Sequence, residues 1–446
     1  MLHGSMKVNS KGHLEIGGCD AVNLANKFGT PLYVIDEELL RENCKAFYKG
    51  FKKDYPSNQV VYAGKAFLTM ALCKIIEEEG LCLDVVSGGE LYTALKSGFP
   101  RSKIYFHGNN KSKEELIMAL DNNVGRIIVD NWHELKMLNE LANMMNKKPE
   151  IYIRVSPGVE AHTHKYIKTG QIDSKFGFPL FNGEALKAVE YALTLKNVNL
   201  VGLHSHIGSQ IFDSESYKAE VEIMMNFIKL IKEKLGWEAK ELDLGGGFGI
   251  AYTEEDDPEP IEKISQEILQ TVKKYSEVLN IKMPNIIVEP GRSIIGNAGI
   301  TLYTVGAIKD IPGIRKYVAV DGGLSDNIRT ALYGAKYNAI VANKANEPKV
   351  EKVSIAGKLC ESGDILIWDI KLPKIEEGDI LAITSTGAYN YSMASNYNRV
   401  PKPAVVLVYK GQADVIVTRE TYEDIIRNDL IPNRLIIEKK RKIANY

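Results

Sequence analysis

Four groups of residues that can do chemistry stand at the ends of short apolar runs. Residues 60–66, VVYAGKA, close a β-branched run with a glycine and Lys65. A buried amine is costly unless it is paired or neutral. A lysine at this point therefore either reaches solvent as its strand emerges or acts as a nucleophile toward a carbonyl compound. NLVGLHSHIGSQ (199–210) carries His206, ELDLGGGFG (241–249) carries Gly245, Gly246 and Gly247, and NIIVEPGR (285–292) carries Glu289, Gly291 and Arg292. Glycines leave backbone N–H groups bare enough to approach an anion. A nucleophilic lysine beside an anion cradle points to pyridoxal phosphate, which needs an amine for its aldehyde, a group for its pyridine nitrogen and packing on its ring. Glu289 suits the nitrogen and His206 the ring.

The elements that must position these residues follow from the same runs. VVYAGKA, LCLDVVSGGE, KIYFHGNN, GRIIVDN, EIYIRVSPG, NLVGLHSHIGSQ, ELDLGGGFG and NIIVEPGR read as eight strands. Between them, segments such as EELIMALDN and HELKMLNELANMM place apolar residues at helical spacing. This alternation predicts an α/β fold with a parallel sheet closed into a (β/α)8 TIM-type barrel, whose chemistry lies at the C-terminal ends of the strands. From residue 299 on, GITLYTVGAI, KYVAVDGG, KVSIAGKLC, DILIWDI, DILAITSTGAY and AVVLVYKG are strands with little helix between them. The expected division is a barrel over 36–298 and a second, mostly β domain (barrel- or sandwich-like) formed by 1–35 with 299–446.

Composition narrows the partners. The 446 residues carry 56 Lys and Arg against 57 Asp and Glu, a net charge of −1, which argues against a nucleic-acid footprint. The basic end EKKRKIANY reads as a solvated terminus. No stretch approaches the roughly 20 apolar residues of a membrane span. The leading MLHGSM has no signal-peptide pattern, so a cytoplasmic location is expected. Five scattered cysteines suggest no disulfide framework, and Cys19, Cys44, Cys73 and Cys82 read as core residues. Histidines two apart in HTH (162–164) and HSH (204–206) offer a competing zinc site, since alternate residues of a strand share a face. Zinc leaves Lys65 and the glycines without a role, so no metal is expected. A class I aldolase, with substrate bound directly to Lys65, is a weaker alternative.

YAGKA, HSHIGSQ, LGGGFG, EPGR, CESGD and TGAY, in this order, resemble the fold-type III pyridoxal-phosphate decarboxylases, and within them the group acting on diaminopimelate. GTPLYVID near the start and SKFGF (174–178) extend the resemblance over nearly the whole chain, leaving aside the residues before Met6. The resemblance implies that Lys65 carries the cofactor, His206 packs on its ring and Glu289 pairs with its nitrogen. Ser209, Gly246, Gly247, the backbone of 289–292 with Gly291 and Arg292, and Tyr389 would hold the phosphate end. It also implies a homodimer with shared active sites, each completed by CESGD of the other chain.

By the same resemblance the reaction is decarboxylation of meso-2,6-diaminopimelate to L-lysine and CO2, the last step of lysine biosynthesis. Cys360 would return the proton, a thiol being mainly protonated at neutral pH. Charge matching assigns the substrate's far end: Glu361 to the distal ammonium, Arg292 and Arg329 to the distal carboxylate, with hydroxyls from Tyr333 and Tyr389. Substrates without that carboxylate, such as ornithine or arginine, would leave guanidinium donors unpaired. Two alternatives remain: a related decarboxylase of ornithine, arginine or carboxynorspermidine, and a non-catalytic cofactor-binding homologue.

Overall fold

The computed structural model describes residues 1–158 and 174–436. The HTH stretch, the segment HTHKYIKTG and the basic run EKKRKIANY lie outside the described residues.

Eight parallel strands form a closed barrel: β1 (Gln59–Ala63), β2 (Cys82–Val85), β3 (Ile104–Phe106), β4 (Arg126–Val129), β5 (Glu150–Ser156), β6 (Asn199–His204), β7 (Glu241–Asp243) and β8 (Asn285–Val288). Each falls within one of the eight runs read as strands, except that β1 begins one residue earlier, at Gln59. Pairing of β8 with β1, Ile287 opposite Gln59, closes the ring. Because strand side chains alternate, each strand sends one apolar set inward and another toward the helices. Val61, Cys82, Tyr105, Ile128, Tyr152, Val201 and Ile287 pack together as a separate buried cluster, one residue from every barrel strand except β7. Their neighbours in sequence, such as Val60, Tyr62, Leu83 and Ile127, pack in the larger core with the surrounding helices.

Helix starts are written into the strand–helix turns. Asp36 ends the strand Leu32–Asp36, and its carboxylate caps the helix Glu37–Lys52 by accepting from Glu38 N and Leu39 N. Ser5, outside the family pattern, also donates to Asp36 through its hydroxyl at 2.6 Å. Asn131 caps Trp132–Met144 in the same way after β4. The loop after β3 is held by Lys111, whose Nζ donates to the carbonyls of Gly108 and Ile128 and to Glu134 Oε1 at 2.7 Å. Lys111 and Glu134 are both buried. Lys111→Met strands the Glu134 carboxylate in the core, so the unfolding free energy read from urea titration should fall by about 3–5 kcal/mol.

The second sheet is built on β9 (Gly299–Ile311), a long strand that pairs antiparallel with Arg315–Val320, Ile380–Ile383 and Leu32–Asp36. Leu32–Asp36 also lies parallel to Ala404–Tyr409. The N-terminal segment is thus woven into the C-terminal β sheet. Ala339–Val341 and Gln412–Val417 are further strands there, beyond those expected from the sequence. No helix among the described residues is long and apolar enough to cross a membrane.

Candidate active site

The barrel's C-terminal rim follows from pleat geometry. Two residues beyond the inner apolar layer, the same face carries Ala63, Asp84, His107, Asp130, Arg154 and Glu289. Asp243 on β7 and His204 on β6 reach the same level, His204 after a bulge between Leu200 and Gly202. Among these, the sequence points to Glu289 as a cofactor residue and to His204 only as part of the competing zinc site.

Lys65 stands just beyond β1, in a single turn over Gly64–Ala66. The turn passes so close to β2 that a Cβ on residue 64 would lie 2.7 Å from the Asp84 carbonyl oxygen, which only glycine allows. The Lys65 side chain is exposed, and its amine makes no hydrogen bond or ion pair with another described residue. It opens onto a pocket of about 410 Å³. Every residue expected at the cofactor lines that pocket: Lys65, His206, Ser209, Gly246, Gly247, Glu289, Gly291, Arg292 and Tyr389. Tyr389 arrives from the β domain, with its backbone N–H bonded to the carbonyl of Ala66 at 2.8 Å.

Each wall suits one part of pyridoxal phosphate. His206 Nδ1 accepts from Gly246 N at 3.2 Å, and burial, with Lys65 adding to it, pushes the imidazole well below its usual pKa. Its ring is therefore neutral, with an apolar face to offer. Gly247 has φ +105°, and a Cβ there would lie 2.8 Å from the Gly208 carbonyl oxygen, so the backbone around it stays bare for an anion. Arg292 donates from Nη2 to Ser209 Oγ at 2.9 Å beside that backbone, and its buried Nε is unpartnered among the described residues. The residues present fit the group.

Glu289 is buried among groups that decide its charge. Oε1 lies 2.6 Å from His107 Nε2, and Oε2 lies 3.3 Å from His204 Nε2. Burial opposes ionisation, but the two imidazoles hold the carboxyl well below its usual range. The carboxylate therefore keeps its charge where a pyridinium needs one. His107, His204, Asp243 and Glu289 offer ligand atoms within 4.8 Å of one another, the grouping nearest to a metal site among the described residues. The HSH spacing does not unite its two histidines as the sequence suggested. β6 ends at His204, so strand alternation stops there, and His204 meets Glu289 while His206 meets Gly246.

Beneath the rim, Glu220 is fully buried and accepts from Ser205 Oγ at 2.7 Å. Burial pushes its pKa up to about 8. The unfolded chain titrates near pH 4.3, about the ordinary glutamate value. Between these values the folded state holds the extra proton, so stability falls as pH rises through that window. Glu220→Gln keeps the acceptor and removes the titration. Its unfolding free energy from urea titration should rise relative to the parent by a few kcal/mol at pH 8, at about 1.4 kcal/mol per pH unit of the window, and match it near pH 4.

The residues expected at the substrate are divided. Arg292 Nη1 donates to Tyr252 Oη at 2.5 Å, and Arg329 Nη1 donates to the same oxygen at 3.1 Å and to Tyr337 Oη at 2.5 Å. Tyr333 lies against Arg329, whose guanidinium is 5.9 Å from its ring. Cys360 and Glu361 are exposed, and neither lines the Lys65 pocket. Their loop is tied to the one that precedes Arg329 through Asp364, which accepts from Leu324 N and Leu359 N. Cys19, Cys44, Cys73 and Cys82 are buried and unbridged, as expected of core residues. Tyr252 and Tyr337 were not singled out from sequence, since both lie in loops without periodicity.

Comparison with known proteins agrees with this geometry. Residues 40–296 match the family model "Pyridoxal-dependent decarboxylase, pyridoxal binding domain". The chain is 56% identical over 418 residues to the diaminopimelate decarboxylase of Bacillus methanolicus, covering 94% of this chain and 97% of that protein. It is 53% identical to the enzyme of Bacillus subtilis (strain 168), covering 96% and 98%. The crystal structure of diaminopimelate decarboxylase from M. jannaschii in co-complex with L-lysine superposes with a TM-score of 0.92 at 40% identity, over 98% of this chain and all of that one. The match over residues 40–296 and the identities of more than half over nearly the whole chain make this chain a member of the pyridoxal-dependent decarboxylase family, in its diaminopimelate decarboxylase group.

Proposed function

We propose that the chain decarboxylates meso-2,6-diaminopimelate to L-lysine and CO2, using pyridoxal phosphate held by Lys65. Bound there, the cofactor supplies a sink for the electron pair left when CO2 departs. One observation carries the choice of substrate. Arg292 and Arg329 are both buried, and neither has a carboxylate partner among the described residues. Buried guanidinium groups are usually paired with anions. This pair, joined through Tyr252 at the edge of the Lys65 pocket, supports recognition of a second carboxylate. Relatives at 50% identity and above carry the diaminopimelate name, which favours this substrate over ornithine or arginine.

In this reading Lys65 would hold the cofactor through its amine at the mouth of the pocket. Glu289 holds a proton on the pyridine nitrogen, and His206 covers the ring. Ser209, Gly246, Gly247, Gly291 and Tyr389 grip the phosphate end. Cys360 returns a proton to the α-carbon, and Glu361 meets the distal ammonium. Since these last two stand outside the pocket of their own chain, the reading includes a homodimer in which each chain completes its partner's site. The division into 36–298 and 1–35 with 299–446 is supported by the pairing of Leu32–Asp36 with β9. Free, unbridged cysteines suit a reducing, cytoplasmic setting. Incubation with meso-diaminopimelate should yield L-lysine and CO2 in equal amounts. Any other amino-acid product would overturn the assignment.

A further inference from the structure

Tyr252 occupies an unusual electrostatic position. It is buried, in the stretch that follows the glycine loop of β7, and its backbone N–H is anchored to Asp256 Oδ2 at 2.9 Å. Two cations converge on its single oxygen. Arg292 comes from the end of β8, and Arg329 from the short helix Arg329–Tyr333 in the β domain. The same guanidinium groups also lie 5.7 and 5.1 Å from the Tyr252 ring, which adds cation–π attraction.

Two like charges brought together in a buried place repel strongly unless something between them accepts their donors. A neutral phenol is a weak substitute for a carboxylate. Both donors point at its oxygen, and among the described residues its own O–H has no acceptor. Burial opposes ionisation of the phenol, yet Arg292 and Arg329 together draw its pKa below the usual value. A carboxylate entering beside Tyr252 would supply what this arrangement lacks: a full negative charge for two guanidinium groups and an acceptor for the hydroxyl.

We propose that Tyr252 is a positioning residue for substrate selectivity, bridging Arg292 and Arg329 so that the two act as one receptor for the distal carboxylate of the substrate. This rests on the reading that the chain acts on diaminopimelate and deepens it. The bridge joins a barrel loop to the β domain, so the receptor exists only when the two are docked.

The test is steady-state kinetics of the Tyr252→Phe holoenzyme with meso-diaminopimelate and with ornithine. Loss of a hydroxyl bonded to charged groups should raise KM for diaminopimelate by about 10- to 100-fold. The value of kcat, the bound cofactor and any residual ornithine turnover should be unchanged. Inhibition by pimelate, a plain dicarboxylate, should weaken by a similar factor. Should the Phe variant fail to fold, Tyr252→His carries the test, because its ring nitrogen can accept from one guanidinium and should recover part of the affinity. An unchanged KM and unchanged pimelate inhibition would overturn the proposal. So would equal losses of kcat and cofactor with the preference for diaminopimelate intact, which is the mark of a packing role. If the parent enzyme itself does not turn over diaminopimelate, it is the functional reading that falls.

Discussion

Lys65→Ala should abolish turnover of diaminopimelate, with kcat/KM falling by roughly 10⁴-fold or more, as when a covalent nucleophile is deleted. The fall corresponds to at least about 5 kcal/mol of transition-state stabilisation. The fold should survive, because the Lys65 side chain is exposed and bonds to no other described residue. Thermal melting without cofactor should therefore match the parent. The same variant also tests the shared site. Cys360→Ala alone should lose roughly 10²–10⁴-fold, the usual worth of a positioned proton donor. If each site draws Lys65 from one chain and Cys360 from the other, mixing the two inactive variants makes hybrid dimers that hold one intact site. Activity should then return to about a quarter of the parent's at full exchange, the statistical share for a symmetric dimer. No recovery on mixing, with exchange verified, would place both residues in one subunit's site.

Glu289→Gln should also be strongly damaging, at roughly 10²–10³-fold in kcat, the range for loss of a preorganised electrostatic partner. The substitution keeps the side-chain volume and an oxygen that can accept from His107. What it removes is the charge that His107 and His204 hold in place. An uncharged amide cannot favour a proton on the pyridine nitrogen, so the sink for the departing electron pair weakens while cofactor binding through Lys65 and the glycine loop persists. The measurement is kcat at saturating substrate and cofactor, with bound cofactor quantified beside it. Full activity in Glu289→Gln would show that the nitrogen needs no anionic partner here.

Much of this site could be read from the chain, for a physical reason that also marks where reading stops. A buried parallel strand must be a short apolar run, and its exit into a loop must be polar or glycine-rich. VVYAGK and NIIVEPGR therefore announce both the strand and the residue it presents. The same alternation would have exposed the polar ring. His107 lies two residues beyond Tyr105, Arg154 two beyond Tyr152 and Asp84 two beyond Cys82. The signal lies in the alternation across all the strands together, not in any single strand end. The grouping of 1–35 with 299–446 was expected, but the partners of Leu32–Asp36, β9 and Ala404–Tyr409, leave no local trace, because nothing in LYVID distinguishes a strand hundreds of residues away. Gln412–Val417 was missed because it is largely exposed and lacks a buried apolar face. Tyr252 and Tyr337 gather around Arg329 only through tertiary docking, in loops where neither period of two nor of 3.6 applies.

The most direct test of the account is a comparison of CO2 release from meso-diaminopimelate, ornithine and arginine by the purified holoenzyme, with cofactor-stripped protein in parallel. The account predicts release from diaminopimelate alone, lost on stripping and restored by pyridoxal phosphate. Release from ornithine or arginine at comparable kcat/KM would contradict it, because the buried guanidinium groups of Arg292 and Arg329 would then have no carboxylate to recognise.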